Sequence, residues 1–226
     1  MIAIKQYLFS SIGKKAVMAC TGLFLCVFLI EHLYGNVLLY ANDGGLAFND
    51  YSHSACHNII IRIIEIFLFA AIVIHVWQAI VITSENAKAR PIKYAVSTST
   101  KGSSWFSRNM GITGSIVFFF IVVHLINFFV PYRITSMGDN VTLAMLVKSA
   151  FQNPLYAALY SIGVTFLFFH LSHGFRSAFH TLGLNDKKYT PVWKTTGTIF
   201  AWVMWLGFIS FPILFYFGIA GNSIPN

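Results

Sequence analysis

Charge is what this chain has least of. Only 10% of its 226 residues are Asp, Glu, Lys or Arg, where a soluble domain carries roughly 25%. Too few charges remain to coat a soluble domain. Without such a domain there is no basic face for nucleic acid, even at a net charge of +8. Cysteine motifs are missing as well. Cys20, Cys26 and Cys56 form no C-x-x-C pair, which leaves no zinc or iron–sulfur pattern and no C-x-x-C-H attachment for a covalent haem. The three are expected to be small buried hydrophobes. No secretory leader is expected, because the first apolar run is full length and lacks a small-residue cleavage site.

Apolar residues fill the space that charge leaves. Hydrophobic side chains make up 57% of the chain and aromatics 17%, with a mean hydropathy of +0.69. They gather into five runs, about 16–41, 58–83, 110–131, 155–182 and 194–220, each near or above the roughly 20 residues needed to span a bilayer. In lipid such runs must be helical, since an open sheet would strand backbone polar groups. The expected fold is therefore an all-α integral membrane protein, one domain of five transmembrane helices in residues 1–226. Twelve of the 15 basic residues fall at the N-terminus, between spans 2 and 3, or at the end of span 4 and in the connection after it. Only Arg62, Arg133 and Lys148 fall on the other side, which puts the N-terminus in the cytoplasm.

Four of these spans each carry a histidine: His32, His75, His124 and His170. An imidazole in lipid is costly and calls for a partner. Depth sorts the four. His32 lies 17 residues after Lys15 and His124 lies 16 after Arg108, so both sit about 24–26 Å from the inner boundary. His75 and His170, on spans running inward, sit at roughly 15 Å. Two matched layers result, separated by roughly 10 Å. An internal echo supports the outer pair: Thr21-Gly22 precedes His32-Leu33, and Thr113-Gly114 precedes His124-Leu125, at the same spacing. Small residues there let a helix or a flat porphyrin approach; Gly35 and Gly174 lie near the ligand faces too. Paired imidazoles across helices suit two non-covalent b-type haems. Zinc or copper suits two-histidine sites poorly. Span 5 lacks histidine and is expected to form an outer wall.

The string from Gly13-Lys14-Lys15 through Met18-Ala19, Thr21-Gly22 and His32-Leu33-Tyr34-Gly35-Asn36 resembles the cytochrome b subunit of succinate dehydrogenase and fumarate reductase, in its single-subunit, five-helix, two-haem bacterial form. Phe48-Asn49-Asp50-Tyr51-Ser52, Arg62-Ile63-Ile64-Glu65, Lys88-Ala89-Arg90-Pro91 and Phe169-His170-Leu171 extend the likeness over nearly the whole chain. The resemblance implies a five-helix bundle around two b haems in the bacterial cytoplasmic membrane. It implies partners on the cytoplasmic face, a flavoprotein and an iron–sulfur subunit, and electron exchange with a membrane quinone, menaquinone being expected. The axial pairs implied are His75 with His170 (inner) and His32 with His124 (outer). Succinate chemistry would lie in another chain. Some members carry a glutamate for proton transfer two residues before the span-4 ligand. Phe168 stands there in this chain, which puts that path in doubt.

Other residues are weaker candidates. Arg176, Lys15, Ser11 and Arg108 could meet inner haem propionates. Glu31, Asn49, Asp50, Tyr51, His53, His57 and Glu65 could serve a quinone or its protons, although the ordinary reading of residues 49–57 is a polar loop. Glu31 lies deep in span 1 and is expected to need a proton or a basic partner. Glu65 is expected to pair with Arg62. His173 could compete with His170 for iron, and residues 141–151 read as an interfacial helix. The alternatives are an unrelated di-haem quinone-reactive cytochrome b and a small transporter. A transporter would more often show helices broken near the midplane, and no break is expected here.

Overall fold

The structure, a computed structural model, describes residues 6, 9–89, 109–135, 137–138, 140–184 and 186–225. Arg108, a propionate candidate, lies outside the described residues, as do Lys5, Arg90, Pro91, Lys93, Lys101 and Asp139. Among the described residues seven α-helices follow one another: α1 Ser11–Val37, α2 Leu46–His57, α3 Ile59–Lys88, α4 Met110–His124, α5 Leu143–Gln152, α6 Pro154–Thr181 and α7 Thr190–Tyr216. A 3-10 turn, Leu38–Tyr40, extends α1, and no strand occurs among the described residues. Helices α1, α3, α4 with its extension, α6 and α7 are long and apolar enough to cross a membrane.

Caps decide where the helices start. Ser10 accepts from Gly13 N at 3.0 Å, so α1 begins several residues before its apolar run. Asn58 caps α3 through Ile60 N at 2.9 Å, and Asn153 caps α6 through Leu155 N at 2.9 Å. Each side-chain oxygen occupies one of the amide donors that a helix start leaves open. Pro154, in the first turn of α6, gives up only an N–H that would have had no partner there.

Span 3 departs from the expected unbroken helix. Past His124 the chain widens into π-helical turns, Leu125–Phe129 and Pro131–Thr135. Pro131 supplies the reason: it has no N–H, and its ring crowds the carbonyl four residues back. The ladder shifts register rather than breaking. Residues 46–57 are also not the expected loop. They form α2, which starts after the left-handed Gly45 (φ 84°) with the Asp43 carboxylate accepting from Gly45 N, Leu46 N and Ala47 N.

Lipid offers little hydrophobic drive between helices, so small residues and shape complementarity hold the bundle. Gly163 of α6 lies against the Phe120 ring of α4, Gly207 of α7 against Leu33 of α1, and Gly197 of α7 against Phe175 of α6. Helices α6 and α7 share the largest interface, reinforced where Trp205 Nε1 donates to Thr165 Oγ1 at 3.2 Å. Of the cysteines only Cys26 is buried; Cys20 is exposed and Cys56 half-buried. The expectation of three buried cysteines is thus corrected, since Cys20 occupies an outward position of α1.

One end of the bundle carries a roof. Leu39, Phe48, Ala144, Val147, Phe151, Tyr160, Phe211, Phe215 and Ile224 form one buried cluster. The apolar face of α5 is its centre, so this amphipathic helix packs against the end of the bundle. Asn49 Oδ1 accepts from Ala144 N at 3.0 Å and joins α2 to α5. Lys148 is 8% exposed and donates to the Ile224 carbonyl at 2.6 Å, tying the final described residues to α5.

A Cβ at Gly163 would lie 2.3 Å from Phe120 Cδ2. Gly163→Ala is expected to destabilise the protein by about 1–3 kcal/mol through overpacking. Thermal unfolding in detergent, compared with the parent chain, measures this.

Candidate functional site

Two helix pairs bring the four span histidines together, two by two. His32 of α1 faces His124 of α4 with ring centroids 5.6 Å apart and planes at 89°. His75 of α3 faces His170 of α6 at 6.3 Å and 76°. An iron held between two imidazoles needs centroids about 6 Å apart, from metal–nitrogen bonds of about 2 Å on each side. Both pairs have that span. His173, one turn from His170, is not in this pairing. Among the described residues no cluster of three or more His, Cys, Asp or Glu forms a metal site, so any metal at these positions would have two protein ligands.

The surroundings also accommodate such a group. At the inner level His170 Nδ1 is a buried polar atom with no hydrogen-bond partner, and Gln78 Oε1, one turn from His75, is another. Glycine lies against both rings: a Cβ at Gly22 would meet His75 Cε1 at 3.1 Å, and one at Gly114 would meet His170 Cε1 at 3.4 Å. His75 Nδ1 lies 3.2 Å from both Thr21 Oγ1 and the Met18 carbonyl. Because a carbonyl can only accept, Nδ1 carries the hydrogen and Nε2 keeps its lone pair for a metal. At the outer level Phe28 stacks on His32 at 5.2 Å. Phe208 of α7 approaches His32 at 5.7 Å, and Phe128 and Tyr160 flank His124 at 5.4 and 6.0 Å. Span 5 therefore does more than form a wall. Phe208 was missed because an aromatic in an aromatic-rich span carries no distinguishing signal.

Layer spacing also differs from expectation. Gly114 faces His170 and lies ten residues before His124 on the same helix, which separates the levels by about 15 Å rather than 10 Å. The count from sequence relies on charged flanks at the ends of different helices. Counting along a single helix removes that error.

The remaining candidates divide sharply. Arg176, Lys15 and Ser11 are exposed, whereas Lys14 is ion-paired with Glu85 and ties α1 to α3. Glu31 accepts a hydrogen bond from the Tyr51 hydroxyl. That contact is possible because Gly35, one turn on, leaves room for the Tyr51 ring; a Cβ there would lie 2.6 Å from Tyr51 Cε1. Burial and the Glu31 carboxylate push the Tyr51 hydroxyl well above its ordinary value, so it stays protonated and donating. Asn49 is occupied by its bond to α5. Asp50, His53 and His57 are exposed on α2, with the two histidine rings 4.1 Å apart. Glu65 pairs with Arg62 at 2.9 Å and also with Arg133 at 3.5 Å. Arg133 was missed because it lies on another helix, where sequence spacing gives no signal.

The family comparison rests on the second half of this arrangement. A family model for the succinate dehydrogenase/fumarate reductase transmembrane subunit matches residues 86–211. The chain belongs to that family. The match begins at the end of α3 and runs into α7, so it includes His124 and His170. His32 and His75 lie before it. Among curated proteins and among solved structures, none matches the chain. The protein is a multi-pass membrane subunit of an oxidoreductase complex.

The position of Tyr51 depends on the start of α2, which has a pH dependence. Hydrogen bonds from Ala47 N, with those from Gly45 and Leu46, hold the Asp43 carboxyl below its ordinary value of 3.8. Its contribution is therefore complete above that value and lost as pH falls through the lower, folded one. Protection of the amides of residues 45–47 against hydrogen exchange, relative to their intrinsic rate at each pH, is expected to fall below about pH 4. In Asp43→Ala that protection is expected to be low at every pH, with no step near about pH 4.

Proposed function

We propose that this chain is the cytochrome b membrane anchor of a succinate:quinone oxidoreductase, holding two b-type haems between a flavoprotein/iron–sulfur pair and a membrane quinone. The observation that carries this reading is the pairing of four intramembrane histidines at two levels, within a chain of the succinate dehydrogenase/fumarate reductase family. Each haem, when bound, would accept and pass on one electron. His75 and His170 would hold the inner haem, His32 and His124 the outer. Thr21 and the Met18 carbonyl keep His75 in the tautomer that offers Nε2. Phe28, Phe128, Tyr160 and Phe208 exclude water from the outer pair, and with it the solvent that would stabilise charge there. Arg176, Lys15 and Ser11, exposed at the inner end, are available to haem carboxylates.

Glu31 and Tyr51 are the best placed of the quinone candidates. They lie one residue and one helix away from the outer ligand His32, and Glu31 is exposed on the face of α1. The carboxylate can take up or release the proton that accompanies each electron at a quinone, while Tyr51 orients it. The basic loops favour a cytoplasmic N-terminus, and the resemblance favours a bacterial membrane, so the partner subunits would dock at the inner end and the quinone would react near the outer one. Menaquinone is the expected quinone.

The decisive measurement is a reduced-minus-oxidised spectrum with haem quantification on the purified complex. Two b haems per chain are expected, with His75→Ala or His170→Ala removing the inner and His32→Ala or His124→Ala the outer. Absence of haem from the parent chain would end this reading. Co-purification without flavoprotein would redirect it to a different quinone-reactive cytochrome. Glu31→Gln is expected to lower quinone turnover by at least about 100-fold while leaving both haems in place.

A further inference from the structure

The internal echo between spans 1 and 3 is longer than the pattern Thr-Gly-x9-His-Leu. Met18 stands three residues before Thr21, and Met110 three residues before Thr113. Both helices therefore carry Met-x2-Thr-Gly-x9-His-Leu. In the structure the two ends of the motif serve different levels. The histidine of each copy belongs to the outer pair, while the Met-Thr-Gly end faces an inner histidine supplied by another helix. Copy one faces His75 and copy two faces His170.

The copies are alike in shape. Gly22 receives the edge of the His75 ring, with a virtual Cβ 3.1 Å from Cε1 and 3.5 Å from Nδ1. Gly114 receives the same edge of His170, with Cβ distances of 3.4 and 3.7 Å to the same two atoms. They differ in hydrogen bonding. His75 Nδ1 has two acceptors, Thr21 Oγ1 and the Met18 carbonyl, each at 3.2 Å. His170 Nδ1 is buried with none. The equivalent acceptors nevertheless stand in the second copy. Thr113 is 1% exposed, and its hydroxyl donates to the Met110 carbonyl at 3.2 Å, which leaves the lone pairs of Thr113 Oγ1 uncommitted. A buried imidazole N–H without an acceptor is costly, and in this surround the repeat offers the acceptor that satisfies it.

We propose that Thr113 is a positioning residue: its hydroxyl, with the Met110 carbonyl, accepts the Nδ1 hydrogen of His170 as Thr21 and Met18 accept that of His75. The repeat thereby fixes both inner imidazoles in the same tautomer, each with Nε2 directed away from its glycine. This inference rests on the reading of the inner pair as haem ligands. It adds a consequence that pairing alone does not carry. A hydrogen bond at Nδ1 raises the basicity of the ligand and favours the oxidised iron. Two such bonds, one per ligand, hold the inner haem at a lower potential than ligation alone would, and the outer haem is untouched by them.

Thr→Val keeps the shape and removes the hydroxyl. The test is a spectroelectrochemical titration of both b haems in the purified complex for Thr21→Val, Thr113→Val and the double variant. Each single variant is expected to favour reduction of the inner haem, and the double variant by about tenfold, or 59 mV for a one-electron couple. The outer haem should keep its parent potential. Thr113→Ser, which restores the hydroxyl, should return the parent value and shows whether a loss of haem in Thr113→Val reflects folding. An unchanged inner potential in Thr113→Val, with both haems bound, would overturn the proposal even if Thr21→Val shifts it. Lack of haem in the parent complex would instead sink the underlying reading.

Discussion

An imidazole inside lipid must find another polar partner, and that requirement organises this bundle. The alternative is a buried group that can neither reach water nor form a hydrogen bond. A metal shared between two imidazoles would meet the requirement, and it needs helix backbones close enough for two rings to face each other, as they do at 5.6 and 6.3 Å. Close approach needs missing side chains. Gly22 and Gly114 remove a Cβ where an inner imidazole edge arrives. The glycines of the echo therefore act about 15 Å from the histidines that identify it in sequence. One helix serves both levels.

Because α1 and α4 serve both levels, they cannot tilt or slide independently without disturbing all four rings. Much of the remaining structure restrains them. The Lys14–Glu85 pair holds the inner end of α1 to α3. At the other end Tyr40 shares a 2.6 Å hydrogen bond with Ser210 of α7, and Gly207 admits Leu33. The π-helical turns after His124 let α4 finish past Pro131 while Phe128 stays against the His124 ring at 5.4 Å. Above these lies the roof built on α5, with Tyr160 bridging from the roof's Phe151 (5.2 Å) to His124 (6.0 Å).

The features that composition controls were legible in sequence. Length and apolarity mark the five long helices, because spanning lipid demands both. Matching depth from basic flanks paired His32 with His124 and His75 with His170, and the structure brings the same residues face to face. What stayed hidden were contacts between segments far apart in sequence. Helix α2 looked like a loop because most of its residues are polar and its start depends on a cap from Asp43, outside the helix itself. Lys148 read as a topology marker, yet it is buried against the Ile224 carbonyl. Phe208 and Arg133 act on partners that no local spacing reveals. The Met18 and Met110 positions were visible but silent, since their carbonyls rather than their side chains take part.

The position of Phe168 would separate electron from proton transfer in the proposed function. Any proton route through the bundle beside His170 would need a polar group there. The phenyl ring instead packs 4.8 Å from Trp202 and 5.8 Å from Trp205, in a layer that continues to the buried Met204 and Ala201 of α7. This is a low-dielectric wall, suited to insulating a buried site and unsuited to carrying charge. The polar pair that can exchange protons, Glu31 with Tyr51, lies instead on the exposed flank of α1 beside the outer histidines. Proton exchange at a quinone would then occur at the outer edge, and only electrons would need to cross the interior between the two histidine levels. The bundle interior is apolar and aromatic for the same reason that its four imidazoles had to be paired.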